Sequence, residues 1–281
     1  MKVNTNKKYL FVLVLFGMLI GCSPKESSIS TETSSIPSIS QSSFISENSE
    51  KQSNSQLSSE KSSSSSTVIS SSTSSQTQTD FALKITSGTS QTLTGNINGS
   101  VLIDVGDNDI EIVLSNVSIY SSFNSPIYVK SAGEVKFKLQ GENLIVDTRN
   151  NIDENNEDDN QGKGAIYAKC DLKFTSSGSL IVVANYNNGI HSSDDITFKN
   201  TSKIQVDAFN NAVKGNDSVE VQSGTLLLRS QNGSGIKTEN SSLSSKGNQK
   251  GNIDISGGDV IIYSYGDGLE AANDVNISNS P

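Results

Sequence analysis

The sequence contains no tryptophan and, among its 281 residues, only one histidine and two cysteines. Cys22 lies close to the N-terminus, so Cys170 stands alone in the rest of the chain and no disulfide is expected there. The single histidine, His191, is followed by two serines but carries no triad signature, and we interpret it as an outward-facing strand residue. Packing, hydrogen bonds or bound ions must therefore stabilise the fold.

The sequence also has no apolar run long enough to span a bilayer comfortably. The longest, YLFVLVLFGMLI at 9–20, has 12 residues and follows Lys2, Lys7 and Lys8, which is typical of an export signal. The stretch from Leu19 to Cys22 resembles the lipobox of bacterial lipoproteins, which implies that Cys22 is lipidated and becomes the mature N-terminus. The alternative is an ordinary secretory signal with a chance cysteine.

Residues 27–79 have few apolar side chains, because 31 of these 53 residues are serine or threonine. Such a segment cannot bury enough apolar surface to offset its chain entropy. We therefore predict a lipoprotein signal peptide at 1–21 and a disordered Ser/Thr-rich tether at 22–79. The expected location is the extracellular face of the bacterial cell membrane, with the lipid anchor as the only membrane contact.

Residues 80–281 are numerous enough for one sizeable domain, and this domain is acidic. The chain has 21 basic and 30 acidic residues, and the first 79 residues hold 6 and 5 of them, which leaves 15 and 25 and a formal charge of −10. A surface of this sign disfavours nucleic acid and anionic lipid as direct partners.

A small apolar step recurs along this domain at Ile166, Ile190, Val213, Ile236 and Leu269, with spacings of 24, 23, 23 and 33 residues. Each unit contains three short stretches in which apolar residues alternate, and glycine and asparagine separate them. The pattern predicts an all-β fold, a right-handed parallel β-helix with three short strands per coil of about 23 residues. A β-sandwich is the alternative, since it also uses short strands at regular spacing.

Carboxylates follow the apolar step. Asp171, Asp195, Asp217 and Asp274 come four to five residues after it, and Glu239 is near this position in the unit of Ile236. Stacked coils would hold these like charges about 5 Å apart, so we expect calcium, bound by carboxylate oxygens, as a cofactor. The candidate metal ligands are Asp171, Asp194, Asp195, Asp217, Glu239, Asp267 and Asp274. Each aspartate could instead cap its own corner as an Asx turn.

From about residue 82 onward, the motifs GKGAIYAKCDLKF, YNNGIHSSDDITF, NAVKGNDSVEV and GDGLEAANDVNI recur in order. This series resembles the bacterial carbohydrate-binding domains with a β-helix similar to pectate-type polysaccharide lyases. The resemblance implies bound calcium and affinity for plant-wall or acidic polysaccharide. The sequence departs from the family pattern at His191, where lysine is common, and it ends within a coil, so we expect the domain 80–281 to be C-terminally incomplete.

With no tryptophan to stack on a sugar, a glycan would contact Tyr167, Lys214 and Lys237, and the two lysines share one repeat position. The other candidate tyrosines, most of which we expect to be wall or core residues, are Tyr128, Tyr186, Tyr263 and Tyr265. We expect a cell-surface lipoprotein whose partner is a polysaccharide. One alternative is a calcium-dependent lyase in which a lysine such as Lys169, Lys214 or Lys237 abstracts the proton α to a uronate carboxylate. The other is a surface adhesin or spacer without glycan affinity.

Overall fold

The computed structural model describes residues 81–150, 162–201 and 203–278. The predicted signal peptide, the tether and Cys22 lie outside the described residues. In the described part of the chain, no helix is long and apolar enough to cross a membrane.

Every named strand pairs in parallel, and the strands form two sheets. The eight-stranded sheet contains β1 (Leu83–Ile85), β3 (Val101–Asp104), β5 (Ile127–Ser131), β8 (Gly164–Ala168), β11 (Asn188–Ser192), β14 (Val213–Gly215), β17 (Ile236–Lys237) and β20 (Leu269–Glu270). The 13-stranded sheet contains β2 (Ser90–Asn98), β4 (Ile110–Ser121), β6 (Glu134–Gln140), β7 (Glu142–Asp147), β9 (Asp171–Thr175), β10 (Ser179–Ala184), β12 (Asp195–Phe198), β13 (Lys203–Ala208), β15 (Ser218–Val221), β16 (Thr225–Ser230), β18 (Asn252–Ile255), β19 (Asp259–Ser264) and β21 (Val275–Ile277).

The 13-stranded sheet consists of two rows that join at β4. The first half of this 12-residue strand pairs with β6 and its second half pairs with β7. In later coils the chain turns at the corresponding point, so each coil there contributes three strands. Each strand pairs with its equivalent in the next coil, as Ile190 does with Val213. The arrangement is consistent with the predicted three-strand coils, whereas a β-sandwich would require antiparallel pairs between its strands.

The core follows the predicted alternation. On β6, β9 and β12 the inward residues are fully buried, and Phe137, Phe174 and Phe198 stack with ring centroids 5.2 and 5.3 Å apart. A buried aromatic side chain contributes several kcal/mol to folding, because its truncation removes burial and leaves a cavity. This stack is therefore a central element of the core.

Two kinds of corner connect the strands. Asn188, the first residue of β11, and Asn211, which precedes β14, are buried at equivalent corners. The Asn211 amide donates to Asn188 Oδ1 at 2.9 Å, and Asn211 Oδ1 accepts the Ser234 N–H at 2.8 Å. Between the second and third strands the backbone enters the left-handed region. Gly141 has a φ of 63°, and a Cβ there would lie 2.1 Å from Asn116 Oδ1, so only glycine fits.

The predicted polar insertion after β17 is described, and it contains one antiparallel bridge between Leu243 and Gln249. It brings Lys250 into an ion pair with Asp217. The other predicted insertion, at 149–163, falls largely on residues 151–161, which lie outside the described part of the chain. Its first residue, Arg149, is buried, pairs with the buried Asp147 at 2.6 Å and donates to the Gly162 carbonyl at 3.2 Å.

Candidate functional site

One row of outward positions runs along the eight-stranded sheet, and it contains all three residues that the sequence analysis selected for sugar contact. Register pairing places Tyr167 next to His191, His191 next to Lys214, and Lys214 next to Lys237. The complete row, which we call the outer row, is Lys84, Leu102, Tyr128, Tyr167, His191, Lys214, Lys237 and Glu270.

The outer row begins with the exposed Lys84, and its next members, Leu102, Tyr128 and Tyr167, are buried beside Phe81. Phe81, Tyr128 and Tyr167 stack in sequence, with centroid separations of 6.1 and 5.6 Å. Tyr167 is only 6% exposed, and the backbone of Gly162 packs so closely that a Cβ there would lie 3.1 Å from its ring. In this conformation Tyr167 cannot stack on a sugar ring, so the predicted contact requires the covering backbone to move.

His191 points outward as expected, but it is buried rather than solvated. Its ring meets the edge of Tyr167 at a centroid distance of 5.1 Å, and its Nδ1 lies 3.4 Å from the Asn188 amide nitrogen. Burial, with help from the positive charge of Lys214, lowers the pKa of His191 to about 3. The imidazole is therefore neutral at physiological pH, and the cationic part of the row begins at Lys214.

The second half of the outer row is a network of lysines and glutamates. Lys214 Nζ lies 2.7 Å from Glu239, and Lys237 Nζ lies 3.0 Å from Glu270 and 3.5 Å from Glu239. Ser234 donates a hydrogen bond of 2.6 Å to the same Glu270 carboxylate. The network offers ammonium donors and carboxylate acceptors side by side, which are the groups that bind sugar hydroxyls.

The charges in this network hold one another ionised. Burial acts to lower the pKa of Lys237, but the hydrogen bond and charge of Glu270, together with Glu239, outweigh it and raise the pKa. Burial also opposes the ionisation of Glu239, but Lys214 and Lys237 outweigh it and lower the pKa of Glu239. In the same way, Ser234 and Lys237 outweigh burial at Glu270 and lower its pKa. A protonated Lys237 is a poor general base, so the geometry does not favour the lyase alternative there.

The predicted carboxylate ladder lies at the corner between the two sheets, but it forms two neighbouring rows. The strand partner of Asp195 is Ser218, which donates to Asp195 Oδ1 at 2.7 Å. Asp217 precedes Ser218 and lies next to Asp194, to whose carbonyl its N–H donates at 3.2 Å. Placing Asp217 on a rung with Asp195 is therefore a register error, which arose because Asp217 follows its apolar step by four residues and Asp195 by five.

Three of the carboxylates crowd one another. Asp171 Oδ1 accepts the Asp195 N–H at 3.2 Å. Burial raises the pKa of Asp171, and the charges of Asp195, Asp194 and Glu134 add to this. Burial also raises the pKa of Asp194, and Asp217 and Asp195 add to this. The positive charge of Lys250 opposes this increase at Asp194, and a bound cation would relieve the remaining repulsion.

The other candidate metal ligands already have partners or lie in the open. Asp217 pairs with Lys250 and accepts the Asn240 amide at 2.6 Å, and Glu239 belongs to the lysine network. Asp267 and Asp274 are exposed in the last coils. Among the described residues, no three His, Cys, Asp or Glu side chains converge to hold a metal ion. A calcium ion at this corner would thus rely on two of the crowded carboxylates, with carbonyl, water or ligand oxygens completing its shell.

Two exposed features lie outside the residues selected as the site. Tyr263 and Tyr265 were among the tyrosines considered for sugar contact, and they are 62% and 73% exposed although most of those tyrosines were expected to be wall or core residues. Sequence reasoning did not single out the second feature, four lysines on the outer face of β6, β9 and the end of β12: Lys136, Lys138, Lys173 and Lys199. Each occupies a polar position of the alternation, so the sequence signal was present in the period-two pattern.

The fold and this surface can now be compared with known proteins. The structure is similar to a solved structure described as the polysaccharide lyase-like protein from C. thermocellum, a gadolinium derivative, with a TM-score of 0.59 and 30% identity over 69% of this chain and 86% of that chain. The chain is thus an all-β protein of parallel strands with a polysaccharide lyase-like neighbour.

The family assignment rests on most of the domain. Residues 79–281 match the family described as carbohydrate-binding domain-containing protein, and the chain belongs to that family. A protein of the same description from Acetivibrio thermocellus is 34% identical over 117 residues. The matched segment spans 41% of this chain and 41% of that relative.

Proposed function

We propose that this protein is a cell-surface lipoprotein that binds polysaccharide through a right-handed parallel β-helix with the assistance of calcium. Cys22 carries the lipid, residues 22–79 form the tether, and residues 80–281 form the binding domain. Membership of a carbohydrate-binding family supports the ligand class. The observation that carries the proposal is the partly exposed network in which Lys237 of the outer row pairs with Glu270, and Lys214 and Lys237 both pair with the adjacent Glu239.

The outer row suits a linear polymer, because equivalent positions repeat at the coil spacing of about 4.8 Å along the stack. Sugar hydroxyls donate to Glu239 and Glu270 and accept from Lys214 and Lys237. Lys214 and Lys237 have side chains that are 17% and 24% exposed, so a ligand reaches them without any change of the core. Tyr167 joins the contact only if its cover opens.

Calcium is proposed to bind at the corner that contains Asp171, Asp194 and Asp195. The crowding of these carboxylates supports this role. Two protein carboxylates leave an incomplete shell, so a ligand carboxylate could complete it and draw an acidic glycan to an acidic domain.

The test is retention of the full-length protein in gels that contain neutral or acidic polysaccharides, with calcium or with chelator. Lys214→Gln/Lys237→Gln should weaken retention at least tenfold, because the donors of the network are lost. Lys130→Gln/Lys246→Gln changes the charge by the same amount away from the network and should bind as the wild type does. Absence of retention on every polysaccharide, with calcium present, would leave the adhesin or spacer as the better interpretation.

A further inference from the structure

A concavity of about 410 Å³ lies on the outer face of β6, β9 and β12. It is lined by Lys136, Lys173, Lys199, Thr175, Ser176 and Asn200. We call it the basic groove. It belongs to the 13-stranded sheet, whereas the outer row described above belongs to the eight-stranded sheet.

The groove follows the stack of coils. Lys136 of β6 pairs in register with Lys173 of β9, and Lys173 pairs with Thr197 of β12. Lys199 directly follows β12, and its N–H donates to the Phe174 carbonyl at 3.0 Å. The ammonium groups therefore belong to three successive coils, which lie about 4.8 Å apart. A linear polymer laid along the stack would meet one coil after another.

The groove is locally positive in a domain of charge −10. Lys136 and Lys138 share Glu111, at 3.8 and 2.9 Å, and Lys173 pairs with Glu134 at 3.2 Å. Lys136, Lys173 and Lys199 line the groove and Lys138 lies beside it on β6, so this face has four ammonium groups against the two carboxylates of Glu111 and Glu134, a formal charge of +2. The side chains of Lys136 and Lys173 remain 38% and 34% exposed, so a ligand can compete with the glutamates.

The floor of the groove supplies uncharged polar groups beside the lysines. Ser176 and Asn200 both adopt a positive φ, 80° and 53°, at the corner where most coils have glycine. Such a backbone conformation is unfavourable for residues with a side chain, and both residues line the groove together with the lysines. Together with Thr175, these groups match a ligand that carries hydroxyls as well as anionic groups.

We infer that the basic groove is a second, metal-independent site that binds the carboxylate groups of an acidic polysaccharide. The inference rests on the proposed function for the ligand class, and it adds a separate site on another sheet. A ligand with one carboxylate per sugar fits a local charge of +2. Denser polyanions are disfavoured, because the charge of −10 on the whole domain repels them more strongly. Binding here needs no calcium, unlike binding at the aspartate corner.

The test measures retention of the full-length protein on polygalacturonate in EDTA at low ionic strength. The groove variant is Lys173→Gln/Lys199→Gln, and the matched control is Lys130→Gln/Lys246→Gln. Each pair joins one ion-paired lysine to one exposed lysine outside the strands, since Lys130 pairs with Asp104 at 2.8 Å as Lys173 does with Glu134 at 3.2 Å. We expect at least tenfold weaker retention of the groove variant, no change in the control, and equal behaviour of all three on fully methyl-esterified pectin.

A third variant should change retention on polygalacturonate in the opposite direction. Glu134→Gln releases Lys173 and adds one unit of positive charge, so retention in EDTA should become stronger. Failure of the wild type to bind in EDTA, equal loss in the two double variants, or retention on inorganic polyphosphate as strong as on polygalacturonate would overturn the inference. Retention in calcium alone would overturn only this inference, whereas absence of retention in both conditions would also remove the proposed function.

Discussion

At the scale of the residue, His191 combines burial with the only imidazole in the chain. Its pKa of about 3 in the folded protein lies far below the ordinary value of 6.5. The unfolded chain therefore binds a proton between these two values that the folded protein does not bind. The contribution of His191 to the free energy of unfolding is therefore fully present above about pH 6.5, and it is lost as the pH decreases toward 3.

The corresponding prediction concerns His191→Gln. Between pH 7 and pH 5 the wild type should lose about 2 kcal/mol of unfolding free energy from this residue, because one pKa unit corresponds to about 1.4 kcal/mol. The variant should show a loss smaller by that amount. Urea melts at the two pH values measure both, and the comparison cancels the carboxyl groups that titrate in each protein. Parallel pH dependence in the two proteins would mean that His191 is solvated.

The crowded aspartates predict the opposite dependence of stability on pH. A carboxyl group whose pKa is raised by folding destabilises the folded protein once it ionises, so stability falls as the pH rises from 3.8 through the raised value. At neutral pH without calcium, Asp171→Asn/Asp194→Asn should therefore be more stable than the wild type, on the order of 1 kcal/mol or about 2–4 °C in melting temperature.

Calcium should reverse that order. It should raise the melting temperature of the wild type, because it binds the folded corner, and have little effect on the variant. Asp267→Asn serves as a control, since that carboxylate is exposed and remote from the crowded three. A melting temperature of the wild type that does not respond to calcium or chelator would assign the aspartates to corner capping.

At the scale of the element, the phenylalanine stack tests the inward phase of the second strands. Phe198→Ala should cost about 3–5 kcal/mol, because a fully buried ring is lost and the remaining cavity cannot close. Lys199→Ala changes the next residue, which points outward, and should cost little. Denaturant melts of the two variants make the comparison. Equal losses would mean that the alternation is assigned to the wrong face.

The strands also show how far sequence reasoning reaches. Period-two alternation correctly placed Phe174 and Phe198 inward, and the apolar step correctly aligned Ile166, Ile190, Val213, Ile236 and Leu269. The repeat was read only from Ile166 onward, although the same row extends back through Ile127 to Val101. In β2 and β4 one long strand continues through the corner, so these earlier coils lack the division into separate strands that made the later coils recognisable.

The site was predicted less completely than the strands. Counting residues from the apolar step could not fix the register after the corner, so Asp217 was assigned to the wrong row. Nor could it show that Lys250, from an insertion, neutralises Asp217, because that contact joins segments 33 residues apart in sequence. The cover over Tyr167 was also hidden, since burial of an outward residue depends on backbone outside its own coil.

At the scale of the whole molecule, the lipid anchor is a prediction that lies outside the described residues. Labelled palmitate should enter the expressed protein and be absent from Cys22→Ala. Cys170→Ala should keep the label, because Cys170 is buried in the core and burial raises its thiol pKa to about 12. Label that persists in Cys22→Ala would indicate an ordinary secretory signal.

The pairing of Asn188 with Asn211 has a consequence for how such a protein changes length. The two residues occupy the same corner, 23 residues apart, and each binds its neighbours in the same way. Loss of 188–210 would therefore join Asn187 to a residue equivalent to the one removed, and every later strand would keep its inward and outward faces. Duplication of the same segment would preserve them equally. Evolution can thus shorten or extend this molecule by whole coils. Each such change would also alter the length of the proposed polymer-binding row.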